Sequence, residues 1–282
     1  MQPVGNWLAK SLPEQNDCNN RLIKAEMKKN KLLPLLLLIL LVSCNQTTNK
    51  KGDLRPSAGT NKATMANLNL GIEYMRIGDY ERSLEKLDRA RAADPNFSGT
   101  YNAYGLLYQA IDRHEDAEKS FRKALKLNPN DSNTMNNYGR FLCEINRSEE
   151  AEALLLQAAA NPLYSTPEIA ITNAGSCAFQ QGRLVDAEKY FRQAIEMNEQ
   201  NPTALLQMSQ LSYDQKKHLT ARAYLQRYLA VSRHSPASLW LGIRIENILG
   251  DKDALSSYEL SLKNNYPDSV EAQRLGNSGS GS

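Results

Sequence analysis

Small and apolar positions recur along most of this chain at a near-constant interval. Gly71, Gly105, Gly139, Gly175, Ser209 and Gly242 form one row, with successive steps of 34, 34, 36, 34 and 33 residues. Twelve residues after each comes a second small residue: Ser83, Ala117, Ala151, Ala187, Ala221 and Ala254. Four residues later stand Leu87, Phe121, Leu155, Phe191, Leu225 and Tyr258. A spacing of four keeps the larger residue on the same helix face as the small one. Small residues are required where two helices cross closely. Pro95, Pro129, Pro162, Pro202, Pro236 and Pro267 close the units, because the residue before a proline avoids the α region. The pattern predicts two helices per unit, A then B, and six units at about 64–97, 98–131, 132–165, 168–201, 202–234 and 235–267.

A helix–turn–helix unit of this length matches the tetratricopeptide repeat. The resemblance implies an all-α fold, a right-handed superhelix of six such repeats in which each unit buries its face only against its neighbours. It also implies a concave groove lined mainly by A helices, an architecture that binds peptides and protein segments and seldom carries out chemistry. In repeats of this kind, positions two, five, nine and twelve of helix A usually face the groove. With Gly71 at position eight, the first set is Met65, Leu68, Ile72 and Met75, and the second is Gly99, Asn102, Leu106 and Gln109. The third is Asn133, Asn136, Arg140 and Cys143, and the fourth Ile169, Thr172, Ser176 and Phe179. The expected groove is therefore apolar at its N-terminal end and polar in the middle. An apolar strip with methionines suits an amphipathic helix or apolar peptide; alternatively the preceding segment folds over it, or the first repeat differs because it caps the stack. Arg76 and Arg140 are the only basic residues expected near the groove, so no clamp for a C-terminal carboxylate is expected.

One block departs from this pattern. The eleven residues Leu32–Val42 are all apolar or proline, too few for a span of about 20 but suited to the core of a signal peptide, with Lys28, Lys29 and Lys31 before it. It ends at Ser43 and Cys44, in a sequence resembling the lipobox of bacterial lipoproteins. That resemblance implies cleavage between Ser43 and Cys44 and a covalent lipid on the Cys44 thiol. One acyl chain holds a protein only marginally; two or three hold it durably. Asn45 rather than aspartate after the cysteine implies sorting to the outer membrane, with the body in the periplasm. Residues 1–26 precede a start at Met27 that is complete by itself and read as an over-long gene start, residues 27–43 as the signal peptide, 44–63 as lipidated terminus and flexible tether, and 268–282 as a C-terminal tail. Its Gly/Ser/Asn end from Gly276 is expected to be unstructured or a cloning scar.

The formal charge of +3 belongs to the leader: residues 1–43 carry six basic and three acidic residues, and the remainder is neutral. No electrostatic case for nucleic acid follows. Neither a metal, a cofactor other than the lipid, nor a small-molecule substrate is expected. His114, His218 and His234 are scattered, and no HExxH, CxxC, GxSxG or P-loop is present, so no intrinsic catalysis is expected. Of four cysteines, Cys18 lies in the leader and Cys44 in the lipobox. Cys143 and Cys177 lie at similar heights on neighbouring A helices. An exported protein meets an oxidising environment, which favours a disulfide; two buried free thiols remain the alternative.

Three stretches narrow the family. "NNYGRFLCEINR" from Asn136, "NPLY" from Asn161 and "NAGSC" from Asn173 resemble the type IV pilus biogenesis lipoproteins of the PilF/PilW family, which includes secretin pilotins. The likeness covers residues 27–267 and strengthens the Cys143–Cys177 pairing, since both cysteines sit in matching segments. It implies an outer-membrane lipid anchor and a role in bringing the pilus secretin, PilQ, to that membrane and into its multimer. The alternative is a general periplasmic scaffold that recruits peptidoglycan hydrolases or outer-membrane assembly machinery. Ser209 in place of glycine and Ser261 in place of alanine weaken the expectation of tight packing at the C-terminal end.

Overall fold

In the computed structural model, residues 62–278 are described. The readings on residues 1–61, including Ser43 and Cys44, lie outside them. Thirteen α-helices follow one another among the described residues: α1 (Lys62–Arg76), α2 (Tyr80–Ala93), α3 (Ser98–Ala110), α4 (His114–Leu127), α5 (Ser132–Glu144), α6 (Ser148–Ala160), α7 (Pro167–Gln180), α8 (Leu184–Met197), α9 (Pro202–Asp214), α10 (His218–Val231), α11 (Pro236–Leu249), α12 (Lys252–Asn265) and α13 (Val270–Ser278). The first twelve form six A/B pairs, odd-numbered helices being A.

The row of small residues lies at the crossing of each pair. A Cβ on Gly105 would stand 2.5 Å from the Phe121 ring, and one on Gly139 would stand 2.7 Å from Leu155. Backbone and large side chain occupy the same space only because the A helix lacks that atom. Phe121, Leu155 and Phe191 are fully buried there. Serine serves the crossing in two mirrored ways. Ser83 on α2 donates its hydroxyl to the Gly71 carbonyl at 2.8 Å, while Ser209 on α9 donates to the Ala221 carbonyl at 2.8 Å. Ser209 is fully buried, so the fifth pair is tight after all: its hydroxyl has a partner and burying it leaves no bond unmade.

Each A helix ends by turning through the left-handed region, at Gly78, Asp112, Asn146, Gly182, Lys216 and Gly250. This is how a helix C-terminus commonly satisfies its last carbonyls. B helices start on their own terms, with Asp79 and Asp251 capping α2 and α12 through side-chain oxygens. The prolines divide by role. Pro95, Pro129 and Pro162 follow the C-caps of B helices, whereas Pro202 and Pro236 open the next A helix at its first turn, a position where no amide hydrogen is missed.

The pairs stack in chain order, and the stacking is asymmetric. The backbone of every A helix through α9 approaches that of the next A helix, whereas among the described residues successive B helices meet only through side chains, as where Tyr190 of α8 reaches Glu152 of α6. The A helices therefore form the inner wall of the superhelix, and the B helices fan out behind it.

The end of the stack differs from expectation. The segment expected as a tail forms α13, which runs into the Gly/Ser stretch. The Ser269 hydroxyl accepts from the Ala272 amide at 3.2 Å, and Ala272 and Leu275 pack on Leu239, Ile243 and Leu262. These two apolar residues cover a face that a seventh repeat would otherwise cover, the need of every terminal unit in such a stack.

Candidate partner-binding groove

The inner wall positions the candidate site. At its N-terminal end, Met65, Ile72 and Met75 are half-buried and rest on a cluster of Leu68, Leu87, Phe97, Tyr104 and Leu107. Leu68, expected to line the groove, is fully buried within that cluster. Asn102, also expected there, is 8% exposed and accepts a hydrogen bond from the next repeat. Both are covered for one physical reason: successive A helices touch, so position five lies in the seam between them rather than in the open groove. Leu106 is half-buried and packs against a cluster that Phe121 shares with Tyr138, Phe141 and Leu142 of the following repeat. Tyr108, which sequence reasoning left out, joins the two clusters. Its ring stacks on Tyr104 at 5.9 Å, and Arg113 lies 4.7 Å from its centroid.

The middle of the wall is polar and nearly uncharged. Asn137 donates to Asn102 at 3.1 Å, and Asn173 donates to Asn136 at 2.8 Å. Asn201 donates to the Thr172 hydroxyl at 2.8 Å, and Gln109 donates to Glu144. Arg140 is exposed beside them. Asn137 and Asn173 were not foreseen as wall residues, although the Asn136–Asn137 doublet marks the spot. Cys143 and Cys177 also meet on this wall, joining α5 to α7 with Cα atoms 5.7 Å apart, and both are buried.

Behind the wall, repeats are fastened by charge. Arg147 reaches from the third repeat to Glu118 of the second at 2.7 Å, while Tyr138 donates to the same carboxylate at 3.0 Å. Burial works against the Glu118 charge, but hydrogen bonds from Arg147, Arg122 and Tyr138 outweigh it and hold the carboxyl at about 2. One repeat along, Arg183 reaches Glu152 at 2.5 Å and Tyr190 donates to it; burial and this bond push the Tyr190 hydroxyl up to about 12. In the fifth junction Arg222 grips the buried Glu246. From the second repeat to the fifth, a glutamate or arginine at one place in the B helix (Glu118, Glu152, Glu188 and Arg222) thus reaches the next repeat, while Leu84 holds that place in the first.

Among the described residues no three potential metal-ligating side chains cluster, and no helix is long and apolar enough to cross a membrane. What the geometry offers is a surface for holding another chain.

The fold and its inner wall define a tetratricopeptide-repeat protein. Tetratricopeptide-repeat family profiles match residues 68–132 and 142–203, residues 120–153, and residues 178–240. A type IV pilus assembly protein, PilF of Pseudomonas aeruginosa, is 31% identical over 243 residues, covering 86% of this chain and 96% of the relative. The chain belongs to the PilF family. The solved structure of Pseudomonas aeruginosa PilF superimposes with a TM-score of 0.66 at 31% identity, over 77% of this chain and 97% of that one. PilW, a widely conserved type IV pilus biogenesis factor, gives 0.68 at 32% identity over 76% and 99%. A repeat protein from Parabacteroides merdae gives 0.58 at 16% identity over 74% and 82%, a likeness of fold alone.

Proposed function

We propose that the chain is a type IV pilus pilotin: an outer-membrane lipoprotein, anchored through lipid on Cys44, that binds the pilus secretin and promotes its localisation and multimerisation. The observation that carries this reading is the inner wall, with Met65, Ile72 and Met75 accessible at one end, in a chain of the PilF family. The mechanism is thermodynamic. A groove that holds one state of the secretin better than another shifts the secretin toward that state, by no more than the difference in affinity. The lipid supplies the membrane address, and a Cys143–Cys177 disulfide formed in the periplasm keeps the middle of the wall in register.

Deleting the gene is expected to deplete secretin multimers from the outer-membrane fraction; unchanged multimers and normal pili would defeat the pilotin reading. Cys44→Ala is expected to release the protein from membranes. A Met65→Glu/Ile72→Glu double variant should lose the secretin while keeping its helix content. Leu68→Glu, by contrast, should melt the first repeat, because it places a charge inside the cluster.

A further inference from the structure

The turns that join A and B helices line one edge of the stack, and the six can be compared place by place. Six to ten residues beyond the row of small residues the sequence reads IGDYE, IDRHE, INRSE, QGRLV, QKKHL and ILGDK. Four of these turns carry an acid. Those of repeats four and five carry none and hold Arg183, Lys216 and Lys217 instead. Glu81, Glu115 and Glu149 take the second position of their B helices, where a carboxylate favours the positive end of the helix dipole. In repeats four and five that position belongs to Val185 and Leu219, which are 84% and 70% exposed. They neither gain burial nor favour the dipole, so folding does not account for them. Carboxylates of the same region are engaged elsewhere: Asp186 with Arg183, Glu188 with Arg192 and Asp214 with Arg244. Lys216 and Lys217 are exposed beside Leu219.

Two aliphatic side chains at one edge, flanked by lysines, suit a phospholipid surface with anionic headgroups. The aliphatic groups enter the headgroup boundary and the lysines stay at its surface. The patch falls far short of the roughly 800 Å² per partner of a stable protein interface. A tethered body needs less, because linkage makes the second contact intramolecular. The reach is sufficient. Residues 45–61 span at most about 60 Å when extended, whereas a 15-residue helix such as α1 separates the two edges of a repeat by only about 20 Å.

We infer that the edge of repeats four and five rests on a phospholipid membrane, with Val185 and Leu219 entering the headgroup boundary and Lys216 and Lys217 meeting anionic lipid phosphates. This rests on the reading that Cys44 carries lipid, and it adds a second contact that orients the body. The helices of these repeats then stand away from the bilayer, and the inner wall faces along it.

The test uses the mature lipidated chain in vesicles of phosphatidylethanolamine and phosphatidylglycerol whose brominated acyl chains quench nearby tryptophan. In a Trp240→Phe background, Val185→Trp and Leu219→Trp are expected to be quenched. Ile77→Trp, at a 66% exposed place on the acidic part of the same edge, is not. Lys216→Ala/Lys217→Ala should lower the docked-to-undocked ratio about 25-fold, roughly 5-fold per lysine. Phosphatidylcholine vesicles, or about 1 M salt with its Debye length of about 3 Å, should act in the same direction. Melting curves check that the variants fold. Hydrogen exchange on the unaltered chain gives a second reading, with residues 181–187 and 215–221 slower in the anionic vesicles than in phosphatidylcholine. Quenching at 185 and 219 no greater than at 77, with exchange unchanged, would overturn the inference. So would a loss of secretin capture by Val185→Glu/Leu219→Glu in detergent solution, which would make the edge a protein-docking surface. If mass spectrometry finds no lipid on Cys44, the anchor reading falls and the inference with it. If the lipid is present and the edge stays undocked, the inference alone fails.

Discussion

The middle of the stack and its final pair solve the same packing problem with different resources. Across the seams that join repeats two, three and four, an asparagine pair, a charged anchor and a cysteine pair bridge neighbouring units. The final pair has the Arg222–Glu246 contact on one side and only the short α13 on the other. α6 and α8 bury Leu155 and Phe191 among several residues, whereas α12 buries Leu262 alone. Because each unit is stabilised only through its neighbours, the difference teaches where unfolding begins: at the C-terminal end, with the bridged centre last to open.

The largest effect should come from the crossing itself. Phe191→Ala is expected to cost about 3–5 kcal/mol, measured by denaturant unfolding, while Tyr258→Ala, at the equivalent but half-buried place in the final pair, should cost clearly less. Equal costs would erase the contrast between centre and end. Next, Cys143→Ala/Cys177→Ala should lower stability by about 4 kcal/mol, the loop-closure effect expected for the 34-residue separation. A reducing agent should do the same to the unaltered protein and nothing to the variant, and alkylation followed by mass spectrometry reports whether the thiols are free.

The charged anchors give a pH signature. The Glu118 carboxyl is held at about 2 in the folded chain, below the roughly 4.3 of an unfolded glutamate. Its stabilising contribution is thus fully present above about pH 5 and is lost as pH falls through that interval toward 2. Glu118→Gln should flatten the acid limb of the stability profile and leave stability near pH 7 reduced, as read by melting temperature against pH. The smallest expected effect is at a turn. Lys216 occupies the left-handed region with φ 62°, so Lys216→Gly should raise stability by a few tenths to about 1 kcal/mol. Gly78→Lys at the corresponding place in the first repeat should lower it similarly.

The period of small residues made the twelve paired helices legible, because it reports a crossing that recurs by physical necessity. It did not resolve which A-helix positions face outward. Leu68 and Asn102 carry the position number of groove residues, yet the seam covers them, and contact between neighbouring helices is not written in either residue. The asparagine pairs escaped notice for the same reason, since each bond joins residues 35 or 37 apart. α13 was hidden by composition: the Gly/Ser end drew attention from Ala272 and Leu275, the two residues that dock it. The extra two residues between Gly139 and Gly175 were visible as a longer step, and they form a connection in which Asn161 ties back to the Ser132 hydroxyl at 2.8 Å.

That inner helices pack backbone to backbone while outer ones meet only through long side chains has a mechanical corollary. A stack packed tightly along one side bends by loosening and tightening the other, so small rotations at each joint add up to a change in the curvature of the inner wall. With Cys143 and Cys177 paired at the joint of repeats three and four, compliance is left to the two arms, which flex about that joint as tongs do about a fixed pivot.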